Sequence, residues 1–197
     1  MGTLEGTRLI YKLSQRLIFS GMENWGTSKF KTTDLGKGVT NVHICGYKNE
    51  KNEGDLDGRP PTNHWAAFLE VHGGGSVRLD MVPGDGADGL TGMLIIESKV
   101  YSVTNNASKS LFFTALGHAT VKTITDLISS LNRDKYRFTE HEEGCRYWIY
   151  TFISDLEGAG IIGAGSNVQA WNSLSRYWCH PAGSGSEARV VEKGAFL

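Results

Sequence analysis

The chain has 197 residues, of which 40% are hydrophobic, so it is long enough for one domain with a sizeable buried core. Its 20 lysines and arginines nearly balance its 21 aspartates and glutamates, which argues against a nucleic-acid-binding protein with a basic surface stripe. No stretch reaches the roughly 18 consecutive apolar residues that a membrane-spanning helix needs, so we expect no membrane span.

The first half of the chain predicts an antiparallel sheet. Residues 1–38 form an arm without regular patterning, and the domain itself is predicted over residues 39–182. Short apolar runs bounded by turn-forming residues predict five strands, at 40–47, 63–71, 76–82, 93–98 and 110–116. The HGGG sequence at 72–75 favours a tight turn between the second and third strands, which therefore form a hairpin.

The second half predicts helices. Apolar residues recur at helical spacing over 118–132, and a nearly continuous apolar segment that begins at Cys145 predicts a buried helix ending near Gly158. Residues 166–180 predict a last short helix, and residues 183–197 predict a flexible tail. Strands followed by helices indicate the α+β class, with an antiparallel sheet packed on helices.

The alternation of apolar and polar residues in the hairpin places two polar side chains on one face. The odd-numbered residues of both strands are apolar and predict the core face, so His64 and Asp80 share the opposite face. The register that pairs Trp65 with Leu79 sets His64 directly opposite Asp80, with Cβ atoms about 5 Å apart. A carboxylate there would fix the imidazole tautomer and stabilise its charged form. A register slipped by two residues on each strand would keep the faces but separate the pair.

Cys145 follows Gly144 at the predicted start of the buried helix. A helix N-terminus or a neighbouring imidazolium lowers the pKa of a thiol, and backbone N–H groups there can stabilise an oxyanion. Two alternatives stay open. Free cysteines often simply pack in the core. Thr139-x-x-Glu142 could also be a capping box that starts the helix earlier and moves Cys145 to its second turn.

The three cysteines, Cys45, Cys145 and Cys179, are odd in number and too widely spaced for a structural zinc site. They favour a reducing, cytoplasmic setting. We expect neither a bound metal nor another cofactor.

The residues singled out above resemble those of a known group. His-Trp-Ala at a strand start, a hairpin with a polar residue on its second strand, and a later cysteine opening a helix resemble the circularly permuted papain-like proteins. That group includes lecithin:retinol acyltransferase-like enzymes and NlpC/P60-related hydrolases, in which the histidine precedes the cysteine. The resemblance implies a papain-like fold with His64 as base, Asp80 as orienting residue and Cys145 as nucleophile. The chain departs from the acyltransferase pattern at Gly144 and Arg146.

The span from Val42 to Ile162 is also similar to a family of small uncharacterised proteins that is frequent in filamentous fungi. The shared elements are TNHWAAFL, SVRLDM and GCRYWIYTFISDLEGAGII. This second similarity is the closer of the two, and it implies no particular activity.

These observations predict a thiol-dependent enzyme of the acyl-transfer type (a hydrolase, acyltransferase or cyclase) that acts on a small apolar metabolite. His64 would take the proton of Cys145, and the thiolate would attack an ester, thioester or amide carbonyl. The expected substrate-binding residues are Trp65, Arg78, Tyr147 and Trp148. The alternative is a non-covalent cyclase, isomerase or binding protein on the same fold, which uses His64 and Asp80 without the thiol. A third hypothesis is a metal site formed by His64, His72 and Asp80.

Overall fold

The structure is a computed structural model that describes residues 24–50, 52–54, 56 and 58–197, so residues 1–23 of the predicted arm lie outside the described part. A curled, mainly antiparallel sheet packs against three helices, and the predicted α+β class is therefore confirmed. Among the helices of the described residues, none combines the length and the apolar character that crossing a membrane requires.

The described residues form ten strands, which make one large sheet and one small ribbon. The first seven are β1 (Trp25–Lys29), β2 (Val39–Lys48), β3 (Asn63–Val71), β4 (Ser76–Asp85), β5 (Thr91–Lys99), β6 (Lys109–Thr114) and β7 (Tyr136–Arg137). β8 (Arg176–Trp178) and β9 (Ser186–Ala188) form the ribbon, and β10 (Ala195–Phe196) returns to the large sheet. The order across that sheet is β10-β7-β5-β4-β3-β2-β6, and β1 runs parallel to β5.

The described residues contain one 3-10 turn, at Thr32–Asp34, and three α-helices, all of which come after β6. They are α1 (Val121–Ser130), α2 (Cys145–Gly158) and α3 (Ser166–Leu174). The predicted start of the second helix at Cys145 is confirmed, with Gly144 as the residue before it. The third helix is shorter than predicted, because the chain leaves the helix after Leu174 to form β8.

The core lies between α2 and the inner face of the sheet. On the sheet, Trp65, Leu69 and Leu79 are fully buried, which confirms that the odd-numbered positions of the hairpin face inward. On the helix, Ile149 and Phe152 pack into the same core. Each large apolar side chain buried in this way contributes about 1.5–3 kcal/mol, so the helix is held firmly against β3.

The hairpin between β3 and β4 has a different register from the predicted one. Leu79 pairs with Ala67, two residues beyond the predicted partner. The reason lies in the turn: Gly75, which the predicted register places inside the ladder, has a left-handed backbone with φ of 83° and does not extend a strand. Because the error is an even number of residues, His64 and Asp80 still share one face. They are diagonal neighbours there and not direct ones.

The C-terminal residues are part of the packed structure. The sequence assigns 183–197 to a tail, but two of its segments pair with other strands as β9 and β10. The side chains of Arg189 and Val191 are buried. The glycine- and serine-rich composition that suggests a tail extends only to Ser186, and the anchoring residues come after it.

Candidate active site

Cys145 lies beside the part of β3 that precedes its ladder with β4. That ladder joins residues 67–70 of β3 to residues 76–79 of β4. α2 begins next to the earlier residues of β3, where the Cys145 Sγ lies 4.0 Å from the Asn63 carbonyl oxygen. The Trp65 backbone N–H donates a hydrogen bond to the same sulfur. Two main-chain groups of one strand therefore hold the thiol at the sheet.

Asn63 fixes this end of β3, a role that the sequence reasoning missed. Its buried side chain donates to the carbonyl oxygens of Tyr47 at 3.1 Å and Trp178 at 2.9 Å, and it accepts from the Trp178 N–H at 2.6 Å. These bonds tie β3 to β2 and β8. Asparagine is depleted in strands, so its position at a strand start directly before His64 is the signal that could have identified it.

His64 and Asp80 are hydrogen-bonded, with 2.7 Å between Nε2 and Oδ1. The diagonal offset still allows this hydrogen bond, because diagonal neighbours on one face of a sheet lie within reach of long side chains. The second carboxylate oxygen of Asp80 accepts from Arg78, which also lies 3.7 Å from Glu97. Asp80 is only 8% exposed, and these two partners hold its pKa below the ordinary value although burial alone would raise it.

The thiol and the imidazole stabilise each other's charged forms. Burial alone would lower the pKa of His64, but hydrogen bonds to Asp80 and to the Cys145 thiol raise it to about 10. Burial would raise the pKa of the Cys145 thiol, but the hydrogen bond and charge of His64, together with the Trp65 N–H, hold that pKa below its ordinary value. Because Nε2 bonds Asp80, Nδ1 is the ring nitrogen that is left for the sulfur. The contact between the two groups therefore favours the thiolate and imidazolium forms of the pair.

The turn before α2 sets the position of the thiol. Gly144 has a φ of 151°, and a Cβ at this residue would stand 2.9 Å from the Tyr136 Oη and 3.2 Å from a ring carbon of Phe138. Tyr136 donates from its Oη to the Gly144 carbonyl at 2.9 Å. The Thr139 capping box does not start the helix: the Thr139 hydroxyl accepts from the Glu143 N–H in the preceding turn. Cys145 is therefore the first residue of a 14-residue helix, where N–H groups lack intrahelical acceptors and the dipole is positive.

A buried charged cluster of Glu143, Arg146 and Arg189 lies directly beside Cys145. The Glu143 carboxylate accepts from Arg146 at 2.8 Å and from Arg189 at 2.5 Å. Arg146 also donates to the main-chain carbonyls of Leu174, Arg189 and Val190 at 3.2, 3.1 and 2.7 Å. Two arginines and one glutamate leave a net positive charge. The charge of Arg146 acts with that of His64 to lower the pKa of the Cys145 thiol.

A cavity of about 390 Å³ opens in front of the thiol and the imidazole. Cys145, His64 and Gly144 line it, so a molecule in the cavity can contact the sulfur, the imidazole and the helix N-terminus together. Much of the remaining wall is polar and includes Lys48, Asn49, Glu50, Asn52, His141 and Glu142.

The structure separates the predicted site residues into three groups. Cys145, His64 and Asp80 form one hydrogen-bonded series, and Arg78 adjoins its far end. Tyr147 faces a different cavity. Trp65 and Trp148 are core residues, with 0% and 1% of their surface exposed, because Trp65 takes the inner face of β3 and Trp148 points into the core from α2.

The hypothesis of a metal site receives no support from the geometry. Among the described residues, no group of three His, Cys, Asp or Glu side chains is placed to hold a metal ion. His72 is exposed in the hairpin turn, at the opposite end of β3 from His64, and roughly 26 Å of strand separates the two residues.

The fold and the site define a class: an α+β protein in which a helix-opening cysteine, a strand histidine and an aspartate are joined by hydrogen bonds. Residues 42–197 match a family model described as a domain of unknown function (DUF7770). The match covers most of the chain, which therefore belongs to this family, and the predicted membership of an uncharacterised family is confirmed. Comparisons with curated proteins and with solved structures found no match.

Proposed function

We propose that this protein is a thiol-dependent enzyme of the acyl-transfer type. The observation that carries the proposal is the series Cys145–His64–Asp80, which opens at its sulfur end onto a cavity of about 390 Å³. A packed structural cysteine needs neither a thiolate-stabilising imidazole nor access to a cavity. The further expectation of a papain-like, circularly permuted fold belongs to the same proposal, supported by the order of histidine before cysteine.

The geometry supports a two-step reaction. The Cys145 thiolate attacks the carbonyl carbon of an ester, thioester or amide, and a C–S bond forms as the carbonyl oxygen becomes an oxyanion. The N–H groups at the start of α2 stabilise that oxyanion. The His64 imidazolium then gives its proton to the leaving group as the bond to that group breaks.

In the second step an acceptor releases the acyl group. Water, an amine or a nucleophile within the substrate loses its proton to His64 and attacks the thioester carbonyl, and the Cys145 thiolate leaves. Asp80 keeps the imidazole in the orientation with Nδ1 toward the sulfur throughout both steps.

The cavity walls favour a polar substrate, although the sequence suggested an apolar one. Lys48 and Glu50 form an ion pair of 2.9 Å in the wall, and Asn49 and Asn52 add amide groups. Glu142 stands in the wall with a left-handed φ of 56°, a conformation that costs energy for a residue other than glycine and is often found at functional sites. We therefore propose a small acyl donor with several hydrogen-bonding groups.

Acylation by p-nitrophenyl acetate tests the proposal. Near neutral pH, we expect one acetyl group on Cys145 in the intact protein, found by mass spectrometry of its peptides, and a burst of p-nitrophenol. Cys145→Ser should lower the rate of release by roughly 10³-fold, because serine is poorly activated by an imidazole. Cys179→Ser is the matched control and should react as the unchanged protein does.

Acetylation of Cys179 at the same rate as Cys145 would contradict the proposal, and so would undiminished release by Cys145→Ser. Retained turnover without the thiol would favour the non-covalent cyclase or isomerase, in which the His64 imidazolium acts as an acid.

A further inference from the structure

We propose that the protein has a second ligand site, separate from the thiol, which binds a planar aromatic anion such as an aromatic carboxylate. The site is a cavity of about 370 Å³ between α2, α3 and the C-terminal segment. Its lining consists of Tyr147, Tyr150, Asn167, Val168, Trp171 and Lys193. This proposal does not depend on the acyl-transfer reaction.

The walls of this aromatic cavity are flat rings in mutual contact. Tyr147 and Tyr150, one helical turn apart on α2, have ring centroids 6.3 Å apart and an interplanar angle of 26°. Trp171 of α3 meets Tyr150 edge-to-face, with 4.8 Å between centroids. All three rings are only partly buried, so each keeps surface for an incoming ring. Such a surface favours a planar apolar group, with about 0.5–1.5 kcal/mol for each ring pair beyond the burial of its area.

The charge of the aromatic cavity favours an anion. Lys193 is exposed and has its Nζ 5.5 Å from the centroid of the Tyr147 ring, at the edge of the cavity. Among the described residues that line the cavity, Lys193 is a cation and none carries a carboxylate. Two carboxylates adjoin the lining residues, and both are already engaged. Glu192, next to Lys193, is paired with Arg59. Glu157 accepts hydrogen bonds from the Gly165 and Asn167 N–H groups. A ligand with a flat ring against Trp171 and a carboxylate near Lys193 satisfies both features.

The two cavities are independent sites. None of the residues that the structure describes lines both of them, although Cys145 and Tyr147 are only two positions apart. Two positions correspond to about 200° around a helix, so the side chains leave α2 on nearly opposite sides. A ligand in the aromatic cavity therefore contacts the helix that carries the thiol without touching the thiol.

Binding of 1-naphthoate to the full chain tests the second site. We expect saturable binding by isothermal titration calorimetry, and an unchanged affinity in Cys145→Ser. Lys193→Met should weaken naphthoate binding by roughly two- to fivefold, the range of an exposed ion pair, and should leave the neutral 1-naphthalenemethanol unaffected. Trp171→Leu should weaken both ligands by roughly tenfold.

The matched control is Lys48→Met, which removes a lysine from the wall of the other cavity. Naphthoate binding that is lost in Lys48→Met and kept in Lys193→Met would place the ligand at the thiol and overturn the proposal. Absence of binding at millimolar naphthoate would also overturn it. Lys193 is exposed, so we expect Lys193→Met to fold. If Trp171→Leu does not fold, the comparison of Lys193→Met with Lys48→Met tests the proposal by itself.

Discussion

Replacing Arg146 by methionine should destabilise the protein severely. The guanidinium is 3% exposed and bonds the Glu143 carboxylate and three main-chain carbonyls, those of Leu174, Arg189 and Val190. Methionine fills much of the same volume but donates nothing. Glu143 keeps its bond to Arg189, so the loss falls mainly on the carbonyls.

The magnitude follows from those contacts. A buried acceptor that loses its donor costs about 1–3 kcal/mol, and Val190 is exposed enough for water to replace part of its bond. Arg146→Met leaves two buried carbonyls without a donor and removes one of the two arginine partners of Glu143. The free energy of unfolding should therefore fall by about 3–5 kcal/mol, which is the range measured for one-sided removal of a buried ion pair. For a chain of this length the midpoint of thermal unfolding should fall by roughly 6–20 °C.

Urea denaturation followed by circular dichroism measures this loss. Arg133→Met is the matched control, because Arg133 also pairs with a carboxylate on α2, Asp155, but both side chains are partly exposed. We expect at most about 1 kcal/mol for the control. An Arg146→Met protein that is no less stable than Arg133→Met would refute the conclusion that Arg146 anchors the C-terminal segment to α2.

Two further predictions concern the thiol. Asp80→Asn should slow iodoacetamide labelling of Cys145 by at least about tenfold near pH 6, because a neutral amide stabilises the imidazolium less, the thiol pKa rises and less thiolate remains. Glu70→Gln, which removes the carboxylate beside a different histidine of the sheet, should leave the labelling rate unchanged; equal slowing in both variants would mean a general loss of structure. Gly144→Ala should cost about 1–3 kcal/mol in urea denaturation and slow the same labelling, because its Cβ meets Tyr136; full stability would show that the turn adapts.

The sequence predicts the features that depend on short-range periodicity. Alternation in β3 and β4 predicts correctly which residues face the core, since the period of two is fixed by strand geometry. The apolar segment after Gly144 predicts correctly where α2 begins. Both features depend on residues that lie within a few positions of one another.

Features that depend on long-range partners could not be predicted from the sequence. The register of the hairpin follows from the left-handed backbone of Gly75, and a run of three glycines does not reveal which of them ends the turn. The packing of the C-terminal segment follows from the bonds of Arg146 and Arg189 with Glu143, which join residues 46 positions apart in one case. Arginine is usually a surface residue, so composition cannot reveal that these two are buried.

The difference between the predicted and the observed register does not separate the three site residues, because different contacts position each of them. Main-chain groups of Asn63 and Trp65 contact the thiol, and the position of α2 rests on its packing against the inner face of the sheet. His64 belongs to β3 as well, so its distance from the sulfur is set within one strand and one helix. Only Asp80 comes from the neighbouring strand, and a two-residue shift changes its contact with His64 from opposite to diagonal without breaking it. The sulfur–imidazole pair therefore depends on local geometry, and the pairing of β3 with β4 mainly determines how strongly that imidazole stays protonated.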